Sequence, residues 1–236
     1  MERVDVAIVG GGPAGSSAAH AAATGGADAL VIEKGVPRAD RDRLGPDSTD
    51  AAGILDYWVD IMGIHPDEFD EGVVQRELNR AEFRGPDEAA TLTATGIDSS
   101  YDKFGYTFQR ARFDDWLRDR AEDAGAEYRV GTSVRGVDTD LSVAPADDDP
   151  RHALELADGG TVGADFVVLA DGPQRTVTNR VLDEYLPADA QASERLASRT
   201  ANHIAYQEYR RVPEEVFEAV NDAIVFWWGV MPGETA

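Results

Sequence analysis

Apolar and polar positions along the chain change period several times, and each change marks an element. Val4 to Val9 is a short apolar run with β-branched residues, which predicts a buried parallel strand. Gly10 to Gly15 interrupts it. The small-residue stretch Ser16 to Ala23 then predicts a helix closed by Gly25-Gly26. Ala29 to Ile32 predicts a second strand ending at Glu33, which completes a strand–helix–strand unit within about 30 residues.

Ser48 to about Gly63 is expected to be mostly helical. Turn signals at Gly85-Pro86 and Gly96 divide Glu77 to Phe108, which is expected to form antiparallel strands. Arg112 to Ala124 predicts a helix, because Phe113, Trp116, Leu117 and Ala121 fall at helical spacing and Gly125 follows. Tyr128 to Val137 and Ala153 to Leu156 read as strands, with Asp158-Gly159-Gly160 as a turn. Phe166 to Ala170 reads as another fully buried strand before Asp171-Gly172. Further on, Ile204 to Val212 and Ile224 to Val230 read as strands flanking a helix from Pro213 to Val220.

Composition narrows what such a chain does. Its 236 residues carry 45 Asp+Glu against 22 Lys+Arg, a formal net charge of −23, with no cysteine and only Lys34 and Lys103 as lysines. No disulfide framework, zinc ribbon, iron–sulfur cluster or cysteine nucleophile exists without cysteine. This field repels nucleic-acid phosphate and disfavours electrostatic docking on an anionic membrane. Disorder is excluded by the 42% of hydrophobic residues and their clustered runs. Surface acid with lysine almost replaced by arginine points to adaptation to high salt, where concentrated cations screen self-repulsion. No stretch approaches the roughly 20 apolar residues of a membrane span, and no basic segment precedes the first apolar run. A cytoplasmic address is expected. Pro145 to Pro150 reads as a solvated loop.

The chemistry begins at Gly10-Gly11-Gly12-Pro13-Ala14-Gly15, which satisfies G-x-G-x-x-G. Gly10 makes the strand-to-helix turn, Gly12 lets the backbone approach a pyrophosphate, and Gly15 lets helix and strand pack closely. The helix start offers N–H groups and a positive dipole end to phosphates. Glu33 stands at the end of the next strand, about 20 residues on, where a carboxylate accepts from ribose hydroxyls and repels a 2′-phosphate.

With Glu33-Lys34, the loop resembles the FAD fingerprint of glutathione-reductase-like flavoproteins. Its Pro-Ala-Gly version is typical of the geranylgeranyl reductase and aromatic hydroxylase branch. Arg110-Ala111-Arg112-Phe113-Asp114, then Trp116-Leu117 and Ala124-Gly125-Ala126-Glu127, is similar to that family's R-x-x-F-D-x-x-L…A-G-A-E segment. The resemblance implies that Arg110 contacts FAD, as an arginine at a helix start can do in bidentate fashion. Val167 to Gly172 is similar to the family's A-D-G segment, which places Asp171 and Gly172 near the flavin's pyrophosphate and ribityl chain. The continuation D-G-x-x-S-x-V-R is not kept: Arg175 and Thr178 stand at its Ser and Arg positions.

The pattern of elements and this resemblance give an α/β fold. A Rossmann-type FAD-binding domain is expected at 1–48 and 101–185. A β-rich, α+β substrate region is inserted at 49–100 and appended at 186–236. The resemblance implies a FAD-dependent oxidoreductase that reduces carbon–carbon double bonds of isoprenoid lipid precursors. Its partners would be an apolar small-molecule substrate and an electron donor, reduced ferredoxin or NAD(P)H, with the membrane periphery as an alternative place of work. A FAD-dependent hydroxylase is the alternative enzyme, and an inactive nucleotide-binding fragment the alternative of another kind.

Departures from the family are specific. The cysteine of some members is replaced in the region of Ser48-Thr49. The family's G-D-A segment is expected beyond residue 236, so the chain is expected to be incomplete. The Y-x-W-x-F-P substrate segment has its nearest counterpart in Val225 to Gly233. There, strand alternation puts Trp227 on one face and Phe226 and Trp228 on the other. Core packing accounts for these rings, and Trp227 and Trp228 are the candidate walls of an apolar pocket.

Other constellations carry no chemistry. His20, His65, His152 and His203 have no ligand spacing, so no metal is expected. Ser16 and Ser17 read as helix-start capping hydroxyls. Asp114-Asp115 and Glu214-Glu215 read as solvated helix-start charges. No residue stands out as a catalytic proton donor.

Overall fold

The computed structural model describes residues 1–36, 51–145, 149–201 and 210–229. In chain order the first elements are β1 (Glu2–Val9), α1 (Pro13–Thr24), β2 (Ala29–Glu33), β3 (Ala51–Leu55), α2 (Asp56–Met62), β4 (Val74–Leu78), β5 (Arg80–Arg84), β6 (Ala89–Leu92) and β7 (Gly105–Gln109). Then come α3 (Arg110–Asp123), β8 (Glu127–Val130), β9 (Val134–Thr139), β10 (His152–Leu156), β11 (Thr161–Leu169), α4 (Thr176–Asp183), α5 (Ala192–Arg195), α6 (Ser198–Ala201), α7 (Glu214–Val220) and β12 (Ala223–Trp227). They gather into two compact units, residues 1–45 with 114–205 and residues 46–113 with 206–236.

The first unit is built on a six-stranded sheet of order β8-β2-β1-β11-β10-β9. β8, β2, β1 and β11 run parallel, and β10 and β9 extend the sheet antiparallel. β1 is apolar on both sides because both are covered. On one side Ile8 and Val31 pack with Ala19 of α1 and Ala121 of α3. Alanines at those helix positions let the backbones approach closely. On the other side Val9, Leu30 and Ile32 meet Leu154, Leu156 and Val162. Each fully buried Leu or Ile here contributes about 1.5–3 kcal/mol. At the start of β1, Arg3 pairs with the buried Asp165 of β11 at 2.8 Å. This is the Rossmann-type arrangement expected from the opening strand–helix–strand unit.

Three expected elements differ within this unit. The single strand Tyr128 to Val137 is two strands, because Gly131 adopts φ +73 and its N–H bonds the Gly35 carbonyl. β8 therefore continues the parallel edge, while β9 turns to the antiparallel end. Phe166 to Ala170 is not fully buried: Phe166 is 53% exposed. β10 pairs with β11 only as far as Ala164, so the second half of β11 lies beyond that cover. Residues 192–201 also stay with this unit, where the Asp183 side chain accepts the Ser193 N–H at 3.1 Å and its carbonyl accepts from Gln191.

The second unit holds two three-stranded sheets, β3-β7-β4 and β12-β5-β6. Residues 105–109 belong here rather than with the first unit, because β7 pairs with both β3 and β4. The helical stretch expected from Ser48 contains a strand, β3, before α2, which Gly63 ends in a left-handed conformation at φ +60. Residues 48–50 lie outside the described ones. β5 and β6 form a hairpin at Gly85-Pro86, closed by the Gly85 N–H on the Glu88 carbonyl at 2.8 Å. Ile224 of β12 packs against Leu78, Ala81 and Phe104. Of the strand expected at Ile204 to Val212, only 210–212 are described, and they are not a strand. The middle of the Pro145 to Pro150 loop, residues 146–148, is also outside the described set.

Candidate cofactor site

The glycine loop leaves the C-terminal end of β1 where its neighbours change from β2 to β11, the switch point at which open α/β sheets take ligands. Gly10 adopts φ +102, and a Cβ there would lie 2.3 Å from the Ala170 carbonyl oxygen. A Cβ on Gly15 would lie 1.8 Å from the Gly10 carbonyl oxygen. At Gly12 a Cβ would meet nothing within 4 Å, so its bare backbone opens space instead of filling it. Pro13 and Ala14 form the start of α1, where Pro has no N–H to satisfy. No side chain caps this helix, and its first-turn N–H groups and dipole remain for a ligand.

Ser16 does not cap the helix as expected. It is buried, and its hydroxyl donates back to the Gly11 carbonyl at 3.2 Å. Glu33 grips the same loop from β2: Oε2 accepts the Gly11 N–H and Oε1 accepts the Gly35 N–H, both at 2.6 Å. A carboxylate has about four lone-pair sites, so acceptor capacity remains on its outer side.

Asp171 follows β11. Its Oδ2 accepts the N–H groups of Val177 at 2.7 Å and Thr178 at 3.2 Å, and its Oδ1 accepts the Thr178 hydroxyl. It thus anchors the first turn of α4. Gly172, at φ +74, begins the short turn to Arg175, the non-glycine residue with positive φ (50) among the described residues.

These residues converge. Gly10, Gly12, Glu33, Lys34, Asp171 and Gly172 share one cavity of about 480 Å³, within the range of small-molecule sites. Ser133 and Val134 at the start of β9 complete its wall. Sequence reading missed them, although Gly131-Thr132-Ser133 is a turn-like cluster that breaks the apparent strand. A second cavity of about 200 Å³ lies against Gly11, Glu33, Gly35, Arg118 and Tyr128. Open backbone donors beside a carboxylate at a strand end can take a pyrophosphate and a ribose.

Arg110, the first residue of α3 and half-buried, belongs to the second unit, as do Trp227 and Trp228. Trp227 ends β12 and Trp228 follows it, and the two rings meet different partners. The Arg84 guanidinium sits over the Trp227 ring at 5.2 Å, while Trp228 approaches Phe83 at 5.3 Å. Phe83 stacks on Phe226 at 5.0 Å and 11°. Phe226, Trp227 and Trp228 are 39%, 50% and 55% exposed, so core packing does not account for them. Val230 to Gly233 fall outside the described residues.

Comparison with known proteins gives the same direction. The family described as FAD binding domain matches residues 3–196. Protein FixC of Salmonella typhi is 31% identical over 220 residues, 91% of this chain and 45% of that protein. Digeranylgeranylglycerophospholipid reductase 1 of Methanopyrus kandleri is 36% identical over 131 residues, 56% of this chain and 30% of that protein. A solved geranylgeranyl bacteriochlorophyll reductase-like protein of Thermoplasma acidophilum superposes with a TM-score of 0.56 at 27% identity, over 75% of this chain and 41% of its own. The chain spans less than half the length of these relatives. Among the described residues, no helix is long and apolar enough to cross a membrane.

Proposed function

This chain belongs to the FAD binding domain family, and from that premise we propose that it serves a FAD-dependent oxidoreductase of the geranylgeranyl reductase type. The reaction is reduction of a carbon–carbon double bond in an isoprenoid lipid precursor. The observation that carries the reading is the convergence of Gly12, Glu33 and Gly172 on one cavity beside an uncapped helix start.

Within that cavity each residue has a separate task. The N–H of Gly12 and the first turn of α1 hold the pyrophosphate, against an otherwise acidic protein. The outer lone pairs of Glu33 accept the adenosine ribose hydroxyls, while its inner ones keep the loop closed. Lys34 adds a cation at the same rim. Asp171, spent on α4, holds Gly172 in place so that its backbone forms the facing wall. Outside that cavity, the family resemblance makes Arg110 a further candidate contact for the phosphates or the ribityl chain. Bound FAD supplies the hydride chemistry. Trp227 and Trp228 are the candidate contacts for an apolar chain, and the electron donor is reduced ferredoxin or NAD(P)H.

The identity of 36% with a digeranylgeranylglycerophospholipid reductase supports this substrate class. The test is the visible spectrum of the chain purified in molar salt, followed by titration with FAD. A yellow protein is expected. A colourless protein that takes up no added FAD removes the reading. NADPH-driven oxygen consumption without alkene reduction would move it to the hydroxylases.

A further inference from the structure

We propose that Tyr128 and Ser16 are positioning residues for the glycine loop, holding the Gly11–Gly12 peptide so that the Gly12 N–H faces a bound pyrophosphate. The inference rests on the reading of this site as the FAD cradle. It adds two residues that act through the loop.

Consecutive glycines leave a loop free to rotate, so Gly10-Gly11-Gly12 needs ties from outside itself. The ties converge on Gly11. Its N–H is held by Glu33 Oε2 at 2.6 Å, and its carbonyl accepts the Ser16 hydroxyl at 3.2 Å. The Ser16 N–H also bonds the Gly12 carbonyl at 2.9 Å. In a trans peptide the C=O and the N–H point to opposite sides. Fixing the Gly11 carbonyl toward Ser16 therefore turns the Gly12 N–H away from it. That is the orientation an anion at the helix start requires, beside a position where even a Cβ would touch nothing.

Ser16 has one proton to give, and Tyr128 makes it give that proton to the loop. The Tyr128 hydroxyl, on β8, donates to Ser16 Oγ at 2.9 Å. Ser16 is wholly buried, so its hydroxyl exchanges neither bond for water. The chain of donors runs in one direction, from Tyr128 through Ser16 to the Gly11 carbonyl, and each bond polarises the next. The Tyr128 phenol is protonated at neutral pH, as any tyrosine is, and burial pushes its pKa further up. The Arg118 guanidinium over its ring at 5.3 Å fixes the ring in place. A half-buried tyrosine on the edge strand thus sets the direction of an N–H in the cofactor loop.

The experiment titrates FAD into the full chain in molar salt and compares wild type with Tyr128→Phe, Ser16→Ala and the double variant. Tyr128→Phe removes one oxygen and leaves the ring under Arg118. Each single variant should bind FAD about five- to tenfold more weakly, and the double variant no more weakly than Ser16→Ala alone. The amide of Gly12, followed by nuclear magnetic resonance, should lose its FAD-induced shift and its protection from exchange in both singles. Affinities within about twofold of wild type overturn the proposal. So does weaker binding that only tracks a lower unfolding midpoint of the FAD-free chain, with the Gly12 amide unchanged. A wild-type chain that binds no FAD overturns the cofactor reading instead.

Discussion

Gly15 and Gly10 are pressed together so closely that a Cβ on the first would lie 1.8 Å from the carbonyl oxygen of the second. Gly12, only two residues from Gly10, has empty space where its side chain would be. The two glycines should therefore fail in different ways. Gly15→Ala should cost the FAD-free protein about 1–3 kcal/mol, read from its urea midpoint, because strand and helix must separate. Gly12→Ala should leave that midpoint unchanged and weaken FAD binding. Gly12→Trp should abolish it.

Asp171 stands in the family's A-D-G segment, yet its carboxylate serves the start of α4. Asp171→Ala should lower stability by about 1–2 kcal/mol, the usual effect of removing a helix-start acceptor. Asp171→Asn, which keeps one acceptor oxygen, should lose less. Equal urea midpoints for wild type and Asp171→Ala would contradict the anchoring role.

Acid should weaken the second unit through Glu82. Hydrogen bonds from Arg80 and Arg84 hold this carboxyl below its ordinary value of 4.5, and Arg80 also pairs with Asp222. A depressed folded value means that the unfolded chain takes up the proton first. The stabilisation is complete above pH 4.5 and drains away as pH falls toward the folded value. Glu82→Gln should flatten the acid limb of a tryptophan-fluorescence unfolding curve measured against pH. An unchanged limb would remove Glu82 from the account.

Salt should matter more than any single residue. At a net charge of −23 the folded chain repels itself, and the Debye length falls from about 10 Å at 0.1 M to about 3 Å at 1 M. The thermal midpoint should climb steeply between those concentrations of sodium chloride. A flat response would identify an ordinary acidic protein.

The opening of the chain was readable because local signals and distant contacts agree there. β1, the glycine loop, α1 and β2 each carry their own pattern, and both sides of β1 are buried as its composition demands. Legibility failed where the deciding contact is distant. Nothing local separates β8 from β9, since Tyr128 to Val137 is rich in strand formers and only the pairing of Gly131 with Gly35 breaks it. Phe166 looks buried, but its cover depends on where β10 stops pairing. Ser16 looked like a cap. Its partner is Tyr128, 112 positions away, and only the fold brings them together.

Arg3 and Asp165, the ion pair at the start of the β1–β11 ladder, are 162 positions apart in sequence. The central strand β1 is therefore made well before β11, one of its two neighbours, which follows about 160 residues later. Meanwhile the β5–β6 hairpin closes locally. Such long loop closure slows folding, and the apolar β1 waits with an unsatisfied edge. A circular permutant that brings β11 just ahead of β1 should reach the same sheet faster, with less loss to aggregation during refolding.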